Sequence, residues 1–204
     1  MPPHVVSIGA ALVLLLALGL FVARFAVGGS ARRAAARSLF AAFAARHGLT
    51  SAPPKNRQDS LAPGKVKGRY RERGVQIWVD DHAGGRAARA RGPNTHMQVR
   101  AKLQHKIGAE LHGGSGGYAA KRGDSVPVPE DLARFRLSAG DVAKAERRLA
   151  RPGVAQALAE LARHGWVRLD DGGVECRLEL AGSIEELEAS VDLVVHAAEK
   201  LEAT

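Results

Sequence analysis

Apolar and polar residues follow three different patterns along this chain. Val5 to Ala23 is an unbroken run without a charged residue. In residues 75–79 and 97–103 apolar residues recur at every second position, and from residue 133 onward segments with apolar residues three or four positions apart alternate with segments of period two. The first pattern predicts a membrane-spanning helix, the second predicts β-strands, and the third predicts helices mixed with a further hairpin.

The apolar run VVSIGAALVLLLALGLFVAR, residues 5–24, is long enough to cross a bilayer. Its nineteen uncharged residues make about 28 Å of helix, close to the ~30 Å hydrocarbon core. No Lys or Arg precedes the run, whereas four follow it: Arg24, Arg32, Arg33 and Arg37. Such cations accumulate on the cytoplasmic side. We therefore predict an uncleaved transmembrane anchor over residues 1–30 in the inner (plasma) membrane, with the N-terminus outside and the following domain cytoplasmic. A cleaved export signal, which would place the domain in the periplasm, is the alternative.

Residues 31–64 are predicted to form a juxtamembrane helix and a linker. The segment ARRAAARSLFAAFAARHGLT has Leu39 and Phe43 one helical turn apart, and Gly48 is expected to end the helix in the left-handed conformation. The segment SAPPKNRQDSLAPG that follows contains three prolines and no apolar periodicity, which predicts a loop.

The segment KVKGRYRERGVQIWVDD, residues 65–81, predicts the first β-hairpin. Its turn is expected at Glu72-Arg73-Gly74. The apolar side chains of its second strand share one face: Val75, Ile77 and Val79. The next strand, within THMQVRAKLQ at residues 95–104, alternates in the same way, so the other face of this sheet is expected to be solvated and basic.

The C-terminal part of the chain predicts a strand, helices and a second hairpin. A short strand is expected at Arg134–Leu137, followed by one helix after Asp141 and another from Pro152 to His164. The segment WVRLDDGGVECRLEL then predicts a hairpin that turns at Asp171-Gly172.

The last helix is expected to begin at a capping box formed by Ser183 and Glu186. Its apolar residues lie on one stripe: Leu187, Val191, Val194, Ala198 and Leu201. The elements together predict a single α+β domain over residues 65–204, made of antiparallel hairpins packed on one face by helices.

No segment contains a catalytic or cofactor motif in the context that its chemistry requires. GSGGYA at residues 114–119 matches the spacing of a dinucleotide loop, but no apolar strand clearly precedes it and no amphipathic helix follows it. The histidines lack the spacings of metal sites, and the only cysteine, Cys176, is expected to face the core, where burial makes a thiol a poor nucleophile. We therefore predict no cofactor, no metal and no enzymatic activity.

The net charge of +9 is unevenly distributed along the chain. Residues 1–124 contain 20 Lys and Arg against 6 Asp and Glu, whereas residues 125–204 contain 10 against 15. Such asymmetry indicates a membrane surface or a polyanion beside the basic part. The first hairpin and the loop after it supply a predicted anionic-surface site: Lys65, Lys67, Arg69, Arg71, Arg73, Arg86, Arg89 and Arg91. Because residues two apart in a strand lie on the same side, the first five are expected to form one row.

Three functions fit these predictions. The first, which we favour, is a membrane-anchored, non-enzymatic binding or scaffold module whose domain binds another protein while its basic face lies toward anionic lipid head groups. The second is a membrane-tethered nucleic-acid binder. Against it, Tyr70 and Trp78 are the only aromatic residues near the basic row, fewer than single-strand binding usually uses. The third is an exported domain whose basic face meets an acidic envelope polymer.

Overall fold

The computed structural model describes residues 34–52, 64–80, 96–113, 130–132, 135–139 and 142–203. These residues form an eight-stranded antiparallel sheet with helices packed against it, which confirms the α+β class. The apolar run and the transmembrane anchor predicted there lie outside the described residues. Within the described ranges no helix has the length and apolar character needed to cross a membrane.

The sheet joins strands from both halves of the chain. In chain order the strands are β1 (Thr50–Ala52), β2 (Lys65–Tyr70), β3 (Arg73–Asp80), β4 (His96–Ala101), β5 (Ala109–Gly113), β6 (Phe135–Ala139), β7 (Trp166–Asp170) and β8 (Gly173–Glu179). Their order in the sheet is β1-β2-β3-β4-β8-β7-β5-β6, and every neighbouring pair is antiparallel. The two predicted hairpins are β2–β3 and β7–β8, and the pairing of β4 with β8 unites them.

One face of the sheet is covered by helices. In the described ranges these are α1 (residues 34–46), α2 (Val142–Leu149), α3 (Val154–His164) and α4 (Ile184–Glu202), with a short 3-10 helix at Glu130–Leu132. Successive side chains of a strand point to opposite faces, and on the helix side the strand residues are fully buried, as at Ile77, Val99, Val167 and Cys176. This apolar face and the helices share one core.

Helix α4 begins and packs largely as predicted. The Ser183 hydroxyl accepts a hydrogen bond from the Glu186 amide at 3.2 Å, while the Glu186 carboxylate accepts from the Gly182 amide at 2.7 Å. The cap therefore satisfies two amides at the start of the helix, although the second belongs to Gly182 and not to the capping serine. The predicted apolar stripe is buried: Leu187, Val191, Val194, Ala198 and Leu201.

Helix α1 belongs to the core of the domain. Phe40 and Phe43 are fully buried in the same cluster as the strand residues. Gly48 follows with a φ of 64°, as predicted, and Leu49 then lies so close to Gly68 of β2 that a Cβ at that position would be 2.6 Å from the leucine side chain. Residues 34–52, which the sequence assigns to the juxtamembrane segment, thus supply a helix and the edge strand β1.

The turn between β2 and β3 differs from the prediction. It is made by Arg71 and Glu72, which have φ values of 47° and 64°, and Tyr70 pairs directly with Arg73. Two central residues with positive φ match the twist of a two-residue hairpin better than the predicted three-residue turn at Glu72-Arg73-Gly74.

Other differences concern short elements. Strands β1 and β5 were not predicted, since three to five residues bordered by proline or glycine show too little alternation. Helix α3 begins at Val154, after Gly153 with a φ of 78°, and not at Pro152.

Phe40→Ala in the full chain is expected to lower the free energy of unfolding by about 3–4 kcal/mol, because it leaves a cavity at a fully buried position. Urea unfolding in mild detergent, followed by tryptophan fluorescence, measures the change. Ala41→Ser on the exposed side of the same helix is the control and should alter stability by less than about 0.5 kcal/mol. Equal stability of the two variants would contradict the packing of α1 into the core.

Candidate anion-binding face

The sheet face opposite the helices carries charged, amide and aromatic side chains, and we call it the polar face. It consists of Lys65, Lys67, Arg69, Gln76, Trp78, His96, Gln98, Arg100, Glu110, His112, Arg136, Trp166, Arg168, Asp170, Glu175, Arg177 and Glu179. These residues alternate along the strands with the buried ones and are half-buried or exposed. The prediction of a polar, basic second face is thus confirmed for β2 and β4, whereas Gln76 and Trp78 of β3 contribute no charge to it.

The strand registers align these residues in rows across the sheet. One row, the tryptophan row, runs from β2 to β7 through Lys65, Trp78, Gln98, Arg177 and Trp166. It contains both tryptophans of the chain, 88 positions apart in sequence. Local sequence patterns could not predict that the two tryptophans lie in one row, because the row depends on the long-range pairing of β4 with β8.

The neighbouring row, the arginine row, crosses seven strands. Its members are Lys67, Gln76, Arg100, Glu175, Arg168, His112 and Arg136. Together the two rows hold six cations, one acid and both tryptophans, so they form a basic and aromatic band across the polar face.

The central cations of the band are paired with acids. Arg100 donates to Asp170 at 2.6 Å and to Glu175 at 3.4 Å, and Arg168 donates to Glu110 at 3.1 Å and lies 3.2 Å from Asp170. The result is a chain of alternating charges across β4, β8, β7 and β5, in which three acids surround two arginines.

Two imidazoles border the tryptophan row. The ring of His112 lies 5.9 Å from that of Trp166, and its Nε2 is 3.1 Å from Glu110. The other imidazole, of His96, contacts the Arg177 guanidinium at 3.2 Å. Among the described residues, His112 Nδ1 and Arg177 Nε are buried without a hydrogen-bond partner, which is typical of places where water, an ion or a ligand completes the bonding.

The cations of β2, the strand beside the edge strand β1, lie on the outer part of the polar face. Lys65 Nζ lies 4.5 Å from the centre of the Trp78 ring, a cation–π contact, and Lys67 is exposed. Arg69 pairs with Glu72 at 3.0 Å, but the two side chains are 73% and 89% exposed, so water and salt screen this pair strongly. The structure therefore brings together Lys65, Lys67 and Arg69 of the predicted site, and we call these three the basic edge.

The expectation that Arg71 and Arg73 extend this row is wrong. The two-residue turn reverses the chain, so that Arg73 pairs with Tyr70 and shares its face, the helix side. Arg71 donates to Asp192 of α4 at 2.9 Å. The remaining predicted site residues, Arg86, Arg89 and Arg91, lie outside the described residues.

Arg73 forms a largely buried ion pair with Glu202 at the end of α4. The two side chains are 10% and 7% exposed, and Glu202 also accepts hydrogen bonds from the backbone amides of Gln104 and His105. Burial alone would raise the pKa of Glu202, but the hydrogen bonds from Arg73 and from the His105 and Gln104 amides outweigh it and hold the pKa below its usual range. The role of Arg73 is to fix α4 to the sheet.

Tyr70 also leaves the polar face. Its hydroxyl donates to Asp192 at 2.9 Å, and burial together with this carboxylate raises the pKa of Tyr70 to about 12. Nearby, His47 Nε2 lies 2.7 Å from Glu188, and the His47 ring is 4.9 Å from the tyrosine ring. This cluster joins α1, β2 and α4, and it removes one of the two aromatic residues that the sequence placed beside the basic row.

Cys176 lies in the core beneath the band. Burial raises the pKa of its thiol to about 12, with a smaller effect from Glu175, so very little thiolate forms at neutral pH. Within the described ranges no three His, Cys, Asp or Glu side chains converge as metal ligands would.

Comparisons with known proteins bear on the fold. No protein-family model matches this chain, and no curated protein matches it either. The chain is similar in structure to the mycobacterial trehalose monomycolate transport factor A, TtfA. The TM-score is 0.55 at 10% sequence identity, over 82% of this chain and 94% of that chain. At this identity the likeness shows a shared fold alone.

Arg73→Met is expected to lower the free energy of unfolding by about 2 kcal/mol, because it leaves the largely buried Glu202 carboxylate with only the Gln104 and His105 amides as donors. Arg69→Met is the matched control on the exposed side of the same hairpin and should change stability by less than about 0.5 kcal/mol. Urea unfolding at pH 7 compares the two, and similar values would contradict the division of the arginines between the two faces.

The same ion pair has a defined pH dependence. The folded pKa of Glu202 lies below the usual 4.5, so its carboxylate stabilises the fold above about pH 4.5, and this contribution is lost as pH falls through the folded pKa. Arg73→Met should therefore lose less stability than the unmodified protein on acidification below pH 4.5, which the same unfolding measurement tests.

Proposed function

We propose that this chain is a single-pass, membrane-anchored binding or scaffold module without enzymatic activity, whose cytoplasmic domain binds another protein and turns its basic edge toward anionic lipid head groups. The observation that supports it best is the convergence of Lys65, Lys67 and Arg69 beside Trp78 on one side of the polar face. Lys67 and Arg69 are exposed, whereas Arg100 and Arg168 are held in ion pairs with Asp170 and Glu110.

The length of chain between the apolar run and the domain supports a membrane-surface role. The run ends at Arg24 and the described helix α1 includes Ala34, which leaves nine residues between them. Nine residues reach at most about 30 Å. If the run spans the bilayer, the domain is held beside the membrane surface, and even a weak attraction is then favoured by the high effective concentration.

The strength of the electrostatic term suits orientation of the domain. A Lys or Arg close to an anionic leaflet contributes about 1 kcal/mol, and the effect fades over a Debye length of ~8–10 Å. The basic edge therefore contributes about 3 kcal/mol when it lies at the surface. This is enough to favour one orientation of a tethered domain.

The opposite side of the domain offers a surface for a protein partner. Helix α4 exposes Glu185, Glu186 and Glu199, which an anionic leaflet repels. A partner with basic residues would complement this surface. The structurally similar protein is named as a transport factor, which accords with a binding role for this fold, and neither its cargo nor its partners are transferred to this chain.

A reporter active only outside the cytoplasm, fused after Thr204, is expected to be silent, whereas a reporter that fluoresces only in the cytoplasm is expected to be bright. The Arg residues that follow the apolar run favour retention of the C-terminal side in the cytoplasm. Immunoblotting should find a full-length chain in the membrane fraction. A shortened soluble chain with an active external reporter would instead identify the apolar run as an export signal.

The basic edge is expected to bring the polar face toward anionic lipid. The full chain is reconstituted in vesicles with a dansyl-labelled lipid, and energy transfer from Trp78 and Trp166 reports the approach of this face. Transfer should be stronger with anionic than with neutral lipid, and high salt should abolish the difference.

A variant with Lys65→Gln, Lys67→Gln and Arg69→Gln should show the neutral-lipid level of transfer in anionic vesicles. The control removes the same charge from exposed positions elsewhere, through Lys106→Gln, Arg147→Gln and Arg163→Gln, and should behave as the unmodified chain. Equal transfer in both kinds of vesicle would refute the lipid-facing role.

A further inference from the structure

We propose that the domain docks face-on, with the whole tryptophan row at the level of the anionic head groups, and not only through the basic edge. This inference rests on the proposed function and extends its surface to Trp166, Arg177 and Arg136, which lie far from the first hairpin in sequence. It follows from where the strand registers place the aromatic residues and the outermost cations.

The two tryptophans are spaced across the middle of the polar face. Trp78 on β3 and Trp166 on β7 are three strand spacings apart, which is about 14 Å, with Gln98 and Arg177 between them. Tryptophan favours the membrane–water interface, because its ring is apolar and its N–H group bonds to water and head groups. Two such residues on one sheet face define a line of contact across the strands, whereas one defines only a point.

Exposed cations lie near both ends of the arginine row. Lys67 is exposed on β2 and Arg136 is exposed on β6, six strand spacings apart, which is about 29 Å measured along the twisted sheet. A domain attracted at one side only would tilt onto that side. Attraction at both sides favours a flat orientation, with Trp78 and Trp166 between the two contacts.

The acids on the polar face oppose this orientation less than their number implies. Asp170 and Glu175 contact Arg100, and Glu110 contacts Arg168, all at 3.4 Å or less. These three carboxylates thus approach the leaflet together with two guanidinium groups, while the exposed Glu179 on β8 adds a further negative charge to the face. The net repulsion from these pairs is small compared with that of isolated acids.

The tether permits the face-on orientation. Helix α1 lies on the opposite side of the sheet, and packed layers are separated by about 10 Å. The nine residues between the apolar run and Ala34 reach up to about 30 Å, so the chain can pass from the helix layer to the membrane while the polar face lies against it.

Contact quenching by brominated anionic lipid tests the inference in the reconstituted full chain. Both tryptophans of the chain are on the polar face, so all intrinsic tryptophan fluorescence comes from it. Trp78→Phe leaves Trp166 as the reporter, and Trp166→Phe leaves Trp78. Loss of fluorescence in both variants with brominated anionic lipid, but not with brominated neutral lipid, is the expected result.

The other outcomes separate this inference from the function on which it rests. Quenching of Trp78 without Trp166 overturns face-on docking and keeps the basic edge as the contact. Absence of quenching at both positions, together with equal energy transfer in anionic and neutral vesicles, overturns both. Salt-sensitive quenching of both tryptophans by a single-stranded oligonucleotide, with no response to lipid, would identify the band as a nucleic-acid surface instead.

A charge variant at the far edge supplies an independent control. Arg136→Gln is expected to reduce the quenching of Trp166 more than that of Trp78, because it weakens attraction only on the β6 side. Arg163→Gln, on the exposed side of α3, removes the same charge and should leave both unchanged. An equal effect of the two variants would show that net charge and not docking geometry controls the response.

Discussion

The antiparallel pairing of β4 with β8 is the contact on which the rest of the structure depends. It runs from His96 opposite Glu179 to Ala101 opposite Val174, and it unites the strands of the first half of the chain with those of the second. A shift of one residue in this register would move every side chain of one half to the other face of the sheet. The apolar face and the band on the polar face would then both be lost.

The core fixes that register. Met97 opposes Leu178, Val99 opposes Cys176, and Ala101 opposes Val174, and all six side chains are buried. In a slipped register, the residues between them, among them Arg100, Glu175 and Arg177, would enter the core. Burial of an unpaired charge costs several kcal/mol, more than one misplaced apolar contact contributes. The same apolar pairs that stabilise the domain therefore place Trp78 and Trp166 in one row.

Local patterns in the sequence were sufficient for much of the fold. Alternation of apolar and polar residues predicted β3, β4, β7 and β8. Apolar residues three or four positions apart, together with capping residues, predicted α3 and α4. The same reasoning failed at the β2–β3 turn, because positive φ values at Arg71 and Glu72 transfer Arg73 to the other face, and period two holds only within one strand. Sequence reasoning also placed α1 outside the domain. The helix is rich in alanine, so its pattern did not indicate that Phe40 and Phe43 are fully buried in the core.

The candidate site was less accessible to sequence reasoning for a related reason. Lys65, Lys67 and Arg69 lie in one strand, so their common side could be predicted from local alternation. Trp166 and Arg136 join them only through pairings between distant strands, which no local pattern encodes. Tyr70 left the site because an acceptor, Asp192, lies 122 positions away on α4.

The magnitude of the surface charge explains why a domain of this kind would be tethered. Three cations at an anionic leaflet contribute about 3 kcal/mol, whereas a dissociation constant of 1 mM already corresponds to about 4.1 kcal/mol. The basic edge is therefore too weak to recruit the domain from solution. A short linker provides an effective concentration in the millimolar range, where the same attraction becomes sufficient to bias orientation. A membrane-spanning run and a moderately basic face thus have complementary effects. The run holds the domain close to the membrane, and the basic face determines how the domain is oriented there.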